Sequence, residues 1–241
     1  MLFRTGVSTH AMHGWPRGEG RLATILRENA LAIAALGLFS LSLVGQALTG
    51  LSTVNDEARE HGAAVMSLGQ YLVSGDFIEA TFENWESEFL QMALFVVMTK
   101  FLRQEGSSES KKIGEREAVD EDPREKKDDP DAPGPVRRGG VLLFFYERSL
   151  SIALFLLFIA SFTLHAVGGA SKHNIEALRH GSETVSVLGY LGTSQFWFES
   201  FQNWQSEFLS VAVLVLLSIV LREKGSPQSK PVAAPHAETG G

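Results

Sequence analysis

Apolar residues are gathered into four segments of the chain, and the sequence around these segments is polar. The segments are residues 31–48, 89–102, 150–167 and 208–221. The first and third each reach the roughly 18 residues that a membrane-spanning helix needs. A soluble protein would wrap such helices in amphipathic partners, which the polar remainder does not offer. The pattern predicts an all-α integral membrane protein.

The second and fourth segments are shorter than a membrane is thick. Residues 89–102 cover about 21 Å of a hydrocarbon core about 30 Å thick. To span the membrane, this helix must extend back to about Glu83, which draws Asn84, Trp85 and Glu88 into the membrane boundary. The fourth segment has the same form, so we expect four spans.

The chain contains two related copies of one unit. Residues 28–110 align without a gap with residues 147–229, and 33 of the 83 aligned positions are identical. Both copies contain one unusual phrase, NWESEFLQ from Asn84 and NWQSEFLS from Asn203. Identity at this level predicts an internal duplication. The expected domains are therefore two helical hairpins, residues 21–103 and 141–223, which together form a four-helix bundle.

The remaining segments are polar and are predicted to be disordered. Residues 104–140 contain eleven acidic and eight basic side chains but no leucine or aromatic residue, so they cannot bury enough apolar surface to offset the entropy of ordering. The C-terminal tail, 224–241, has a similar composition. The N-terminal tail, 1–20, lacks the continuous apolar region of a signal peptide.

The distribution of basic residues predicts the orientation of the spans. Residues 49–81 contain Arg59 as their only Lys or Arg, against five acidic residues. By the positive-inside rule, both termini and the linker lie in the cytoplasm, and the protein resides in the cell (inner) membrane. Two crossings per copy make the repeat parallel. The basic residues on the cytoplasmic side are Arg17, Arg21, Arg27, Lys100, Arg103, Arg137, Arg138, Arg148, Arg222 and Lys224.

The two outer loops carry helix-start signals. Ser67 with Gln70 resembles a capping box, and Asp76 can cap a helix that starts at Phe77. We expect a short helix on the outer surface in each copy.

Composition and motifs narrow the possible functions. A net charge of -7 argues against general nucleic-acid binding, and the absence of cysteine excludes disulfides and thiolate chemistry. None of the common phosphate, dinucleotide, metalloprotease or hydrolase motifs is present. We therefore expect no enzymatic activity and no cofactor. The lipid bilayer is the expected partner, with a homo-oligomer or another membrane protein left open.

Polar residues near the outer ends of the spans fall at similar depths. Glu88 lies about 7 Å inside the predicted span. Ionisable residues in spans often mark an ion or proton path, whereas the alternative is that these carboxylates reach the headgroups. The symmetry of the repeat predicts that Glu88 and Glu207 face each other. Trp85 and Trp204 are expected to be interfacial anchors. The candidate polar layer comprises Gln46, Asn84, Glu88, His165, Asn203 and Glu207.

Two histidine–glutamate pairs raise the possibility of a metal site. His61 and Glu57, like His180 and Glu176, stand four residues apart, so each pair shares one helix face. The alternative is a solvated helix end, capped by the glycine that follows each histidine. The sequence favours the cap, and no metal site is predicted.

Four phrases of the chain resemble one family. RENALAIAALGLFSLSLVGQAL, SLGQYL, NWESEFLQ and RQEGSSESK are similar to the uncharacterised bacterial membrane family of domain of unknown function 6766, over residues 21–112 and 146–230. The resemblance implies a membrane location, and because the family has no assigned activity, no catalytic role carries over. The second copy departs from the first at His165, which replaces a glutamine, and at Gly192, which is expected to break the helix at Tyr190.

Two functions are compatible with the sequence. The first is a non-catalytic structural or interaction role in the membrane, which the few and mostly apolar spans favour. The second is a small transporter or channel that uses the Glu88 and Glu207 layer.

Overall fold

The computed structural model describes residues 20–240, and every regular element in that range is helical. The predicted N-terminal tail, residues 1–20, lies outside the described residues apart from Gly20. Two 3-10 turns, Ala118–Asp120 and Pro123–Lys126, lie between α4 and α5. The helices are α1 (Arg21–Glu28), α2 (Ala30–Glu60), α3 (Leu68–Tyr71), α4 (Gly75–Phe101), α5 (Gly134–Arg138), α6 (Gly140–Tyr146), α7 (Ser149–Arg179), α8 (Val187–Tyr190) and α9 (Ser194–Val220).

Of the described helices, three are long and apolar enough to cross a membrane, namely α2, α7 and α9. Helix α4 is as long as α9, with 27 residues or about 40 Å. Its charged side chains, which are four glutamates, an aspartate and a lysine, keep its hydropathy below that of the other three. The membrane character of the chain is therefore evident in three helices.

The helices within residues 141–223 have the same lengths and spacing as those within residues 21–103, apart from α1 and α6. Helices α7, α8 and α9 each begin and end 119 residues after α2, α3 and α4. The same side-chain contact closes the loop after α2 and after α7. Asn55 donates to the Met66 carbonyl at 2.9 Å and accepts from its N–H at 2.6 Å, and Asn174 contacts Val185 at 2.9 and 2.7 Å. A paired amide thus fixes each loop at the equivalent point.

One local prediction is wrong. Helix α4 begins at Gly75 rather than Phe77, and its cap is Ser74, whose side chain accepts from the Phe77 N–H. Ser74 rather than Asp76 is the cap because its extended backbone lets the hydroxyl reach the first turn. Helix α8 ends at Tyr190, as expected from Gly192, but α3 ends at the equivalent Tyr71 without a glycine at that position, so the two helices do not differ in length.

The chain divides into two compact units, residues 1–68 and 69–241. The described part of the first unit is mainly α1 and α2. In the second unit, α4 packs along α7 and also contacts α9. The four-helix bundle of two hairpins stays a prediction.

Glycines allow α4 and α7 to approach closely. A Cβ atom on Gly168 would lie 2.4 Å from the Glu79 backbone nitrogen, and one on Gly75 would lie 2.7 Å from the Gly168 carbonyl oxygen. Small residues at such crossings are typical of membrane helices, whose association depends on close packing. Next to this crossing, a Cβ on Gly169 would lie 2.4 Å from the Tyr190 ring. A side chain larger than hydrogen at any of these three positions would therefore overlap its neighbours.

A second repeated sequence, RxxGS, begins at Arg103 and at Arg222 and forms a helix-end motif. Arg103 Nη1 donates to the carbonyls of Thr99 and Lys100, and Arg222 does the same at the end of α9. Six residues after Gln104 and Glu223, a serine hydroxyl accepts their backbone N–H at 2.9 Å in both copies. An arginine near a helix C-terminus satisfies the last carbonyls and suits the helix dipole.

The segments predicted to be disordered contain turns and some tertiary contacts. Ser107 is buried and shares a 2.8 Å hydrogen bond with Ser218 on α9. The Gly106 N–H donates to the Thr239 hydroxyl at 2.8 Å. The start of the linker and the end of the tail therefore lie together at the C-terminal end of α9, while the disorder of the intervening residues stays a prediction.

Candidate ion-binding site

One buried histidine joins the three long helices of the second unit. His165, on α7, has no exposed side-chain surface. Its Nδ1 lies 2.7 Å from the Glu86 Oε2 of α4, and its Nε2 lies 3.4 Å from the Glu199 Oε2 of α9. The imidazole ring stacks on Phe196 with a centroid separation of 4.7 Å. An ionisable group from each helix therefore meets inside the protein.

Glu86 is held from two sides. Its side chain is fully buried, and its second oxygen accepts from the Trp204 indole N–H at 3.0 Å. The polar edge of Trp204 thus contacts a buried carboxylate, and its interfacial role stays a prediction. The Trp204 ring also packs edge-on against Trp197 and Phe201. Trp85, in the first copy, packs edge-on against its helix neighbours Phe82 and Phe89.

Glu199 accepts from two further donors. The Tyr190 hydroxyl donates to its Oε2 at 2.8 Å, and the Gln195 side chain donates to its Oε1 at 2.6 Å. Burial, and then the hydrogen bond to Glu199, raise the pKa of Tyr190 far above its usual range. Tyr190 therefore stays a neutral donor that fixes the orientation of the carboxylate.

A third carboxylate lies beside the histidine. One ligand atom from each of Glu83, His165 and Glu199 falls within 4.8 Å of the others. Asn203 hydrogen-bonds the Glu83 side chain and donates to the Glu199 backbone carbonyl at 3.1 Å. The site thus offers nitrogen and oxygen donors that converge on one small volume.

An ion pair closes the same face of α4. Lys172 on α7 donates to the Glu79 carboxylate at 2.6 Å, and the Glu79 side chain is only 5% exposed. Glu79, Glu83 and Glu86 follow one another at spacings of four and three, so they occupy one face of α4. Buried charges of this kind are tolerated when they are paired and hydrogen-bonded.

The contacts of His165 have a place for one additional proton. A neutral imidazole has one donor and one acceptor nitrogen, yet both nitrogens of His165 face carboxylate oxygens. A second proton, on the ring or on one of the carboxyl groups, would complete the longer contact from Nε2 to Glu199. The cluster can therefore hold a proton between α4, α7 and α9.

The predicted polar layer is only partly assembled. His165 lies in the cluster, and Asn203 borders it. Glu88 is exposed and Glu207 is half-buried, and their two carboxylates interact electrostatically. Asn84 is exposed and donates to the Ala80 carbonyl at 2.8 Å. The remaining member, Gln46, lies half-buried on α2 in the first unit.

The predicted histidine–glutamate pairs lie at helix ends. His61 Nδ1 lies 2.9 Å from the backbone carbonyl oxygen of Glu57, and α2 ends at Glu60. Gly62 and Gly181 adopt positive φ angles of 65° and 66°. These are the glycine C-caps that the sequence favoured over a metal site.

Sequence reasoning missed most of the cluster because it followed identical positions of the two copies. The cluster is built where the copies differ. The helical spacing of the three glutamates on α4 was the signal that could have found it. The aligned pairs are Gln46/His165, Thr53/Lys172, Glu79/Phe198, Ala80/Glu199, Glu83/Gln202 and Glu86/Gln205.

Fold and site together define a helical protein with membrane-span-like helices and a buried ionisable cluster. The chain belongs to the family described as Domain of unknown function (DUF6766), whose pattern matches residues 22–241. The resemblance drawn from the sequence is thereby confirmed. The match runs continuously through the segment between the repeats, so it does not by itself identify two copies. No curated protein and no solved structure matches the chain.

Proposed function

We propose that this protein crosses the inner membrane of a bacterium four times. Its two tandem repeats, residues 21–103 and 141–223, each cross twice in the same orientation, and both termini and the linker lie in the cytoplasm. The burial of charge on α4 supports the fourth span. The Glu86 side chain is fully buried and that of Glu79 is 5% exposed, so these side chains face protein rather than lipid. Ionisable residues in a span normally lie in this way.

Within this architecture we propose a non-enzymatic role in ion transport, with protons as the simplest ion. The observation that supports it is the bridge from Glu86 through His165 to Glu199, which crosses three helices. Protonatable chains of this kind mark proton relays in membrane proteins. This site differs from the layer of Glu88 and Glu207 that the sequence predicted. Glu86 nevertheless belongs to the same phrase, NWESEFLQ, as Glu88.

A structural role is the second candidate. The contacts of Gly168 and Gly75 hold α4 and α7 at backbone distance, and buried polar groups can fix the register of packed helices. Under this alternative, the cluster stabilises the packing and moves no ion.

Proton flux in liposomes separates the two candidates. The full-length protein is reconstituted with an internal pH dye, and flux is measured after a potassium diffusion potential is applied. We expect wild-type flux above that of empty liposomes. Glu86→Gln should reduce it at least tenfold, because the buried carboxylate is lost from the relay.

Glu88→Gln is the matched control, since it makes the same change two residues away on an exposed side chain. It should leave flux close to wild type. Absence of flux in the wild type, or equal loss in both variants, would reject the transport role. If the wild type shows no flux and Glu86→Gln is less stable than the wild type, the structural role is favoured.

A further inference from the structure

We infer that Glu83, His165 and Glu199 bind a divalent transition-metal ion between α4, α7 and α9. The inference rests on the proposed transport function, because it names a second class of ion for the same cluster. Each helix supplies one ligand, and the three ligand atoms lie within 4.8 Å of one another. The sequence alone predicted no metal here.

The two nitrogens of His165 make different contacts. Nδ1 lies 2.7 Å from Glu86, which is the length of a strong charge-assisted hydrogen bond. Nε2 lies 3.4 Å from Glu199, which is long for a hydrogen bond. Two ligands at about 2.1 Å from a tetrahedral ion are themselves about 3.4 Å apart. The Nε2 side therefore has the spacing of a metal site, and the Nδ1 side has the spacing of a supporting hydrogen bond.

The groups behind the ligands orient them as in established metal sites. A metal-binding histidine usually donates its other ring N–H to a carboxylate, which fixes its tautomer. Glu86 takes that position behind His165 and is itself held by Trp204. Tyr190 and Gln195 hold Glu199 in the same manner. Glu86 is thus a positioning residue, not a ligand.

The ligand set indicates the class of ion. One imidazole and two carboxylates suit Zn²⁺, Fe²⁺, Mn²⁺ or Co²⁺, whereas Ca²⁺ and Mg²⁺ prefer oxygen ligands alone and Cu⁺ prefers sulfur. Two carboxylates would neutralise the charge of the ion inside the membrane.

Metal binding must release a proton. The ion takes the place of the proton shared between His165 Nε2 and Glu199, while the Nδ1 proton stays on the bond to Glu86. No bond other than the metal–ligand bonds forms, and the charge of the cluster rises by about one unit per ion.

Cobalt is the probe for this site. The full-length protein in detergent is stripped with chelator and titrated with Co²⁺, whose visible absorption reports on coordination, and a pH indicator follows proton release. We expect one ion per chain and about one proton released per ion. A spectrum of hexaaqua cobalt with no proton release would overturn the inference.

Matched variants locate the ion. Glu83→Gln and His165→Gln introduce the residue that the other copy carries at the aligned position, and each should weaken Co²⁺ binding by at least tenfold. Glu86→Gln should weaken it about 10–100-fold through the histidine. Glu88→Gln should bind as wild type. Circular dichroism shows which variants are folded, and the pH indicator reports binding through proton release in any folded variant that loses the absorption signal.

The outcomes separate this inference from the transport proposal. Proton flux in a protein that binds no Co²⁺ rejects the metal site and leaves transport standing. Stoichiometric Co²⁺ binding that His165→Gln abolishes, in a protein without flux, supports the metal site and rejects transport. Binding that survives both ligand substitutions places the ion elsewhere and overturns the inference.

Discussion

Replacing Glu86 by leucine removes the most completely buried carboxylate of the cluster. The change leaves His165 Nδ1 and the Trp204 N–H without their partner. Removing one member of a buried charge pair typically costs about 3–5 kcal/mol, because the other charge stays buried and uncompensated. A neutral hydrogen bond between membrane helices averages only about 0.6 kcal/mol. We therefore expect Glu86→Leu to lower the free energy of unfolding by about 3–5 kcal/mol.

Glu86→Gln should cost less, about 1–2 kcal/mol, since the amide oxygen can still accept one hydrogen bond. Glu88→Leu changes an exposed side chain and should stay within about 0.5 kcal/mol of wild type. Unfolding by SDS in mixed micelles, followed by tryptophan fluorescence and circular dichroism, measures all three. A loss below about 1 kcal/mol for Glu86→Leu would show that His165 and Glu86 carry no buried charge interaction, and the account of the cluster would be wrong.

Four further predictions follow from the same contacts. Gly168→Ala should lower the free energy of unfolding by about 1–3 kcal/mol, because its Cβ would overlap the backbone of α4. Gly45→Ala is the control, since a Cβ there would have no neighbour within 4 Å, and it should not destabilise the protein in the same SDS titration. Asp128→Cys, in the exposed part of the linker, should resist an impermeant thiol reagent in intact cells and react after lysis; labelling of intact cells would contradict the topology. The raised pKa of Tyr190 favours its neutral form in the folded state, so its contribution to stability is present below about pH 10 and is lost as pH rises. Tyr190→Phe should therefore show a smaller alkaline loss of stability than wild type. Limited proteolysis should cut first within residues 104–140, and first cuts inside α4 or α7 would argue against a disordered linker.

The metal and proton proposals describe two states of one cluster. In the first state, a proton lies between His165 and the carboxylate of Glu199. In the second state, an ion occupies that position, with Glu83 as an additional ligand. Because Glu86 contacts the opposite nitrogen, it supports the ring in both states. Removal of Glu86 should therefore impair both proton flux and cobalt binding. Glu83→Gln should weaken cobalt binding more than it reduces proton flux.

The sequence by itself determined the features that depend on local composition and repetition. Three long apolar helices, the glycine caps at Gly62 and Gly181, and the constant offset of 119 residues between α2 and α7 all follow from patterns within single segments. The sequence did not determine where α4 begins. Ser74 and Asp76 both offer a capping oxygen, and only the backbone conformation selects one of them.

Tertiary structure alone decided the site. His165 meets Glu86 across 79 residues and Glu199 across 34, and such contacts depend on how each helix is rotated about its axis. That rotation is set by the glycine contacts of α7 with α4, which bring Glu79 and Glu86 inward and leave Glu88 exposed. The identical residues of the two copies indicated equal depth in the membrane, but depth along a helix does not specify the direction in which a side chain points.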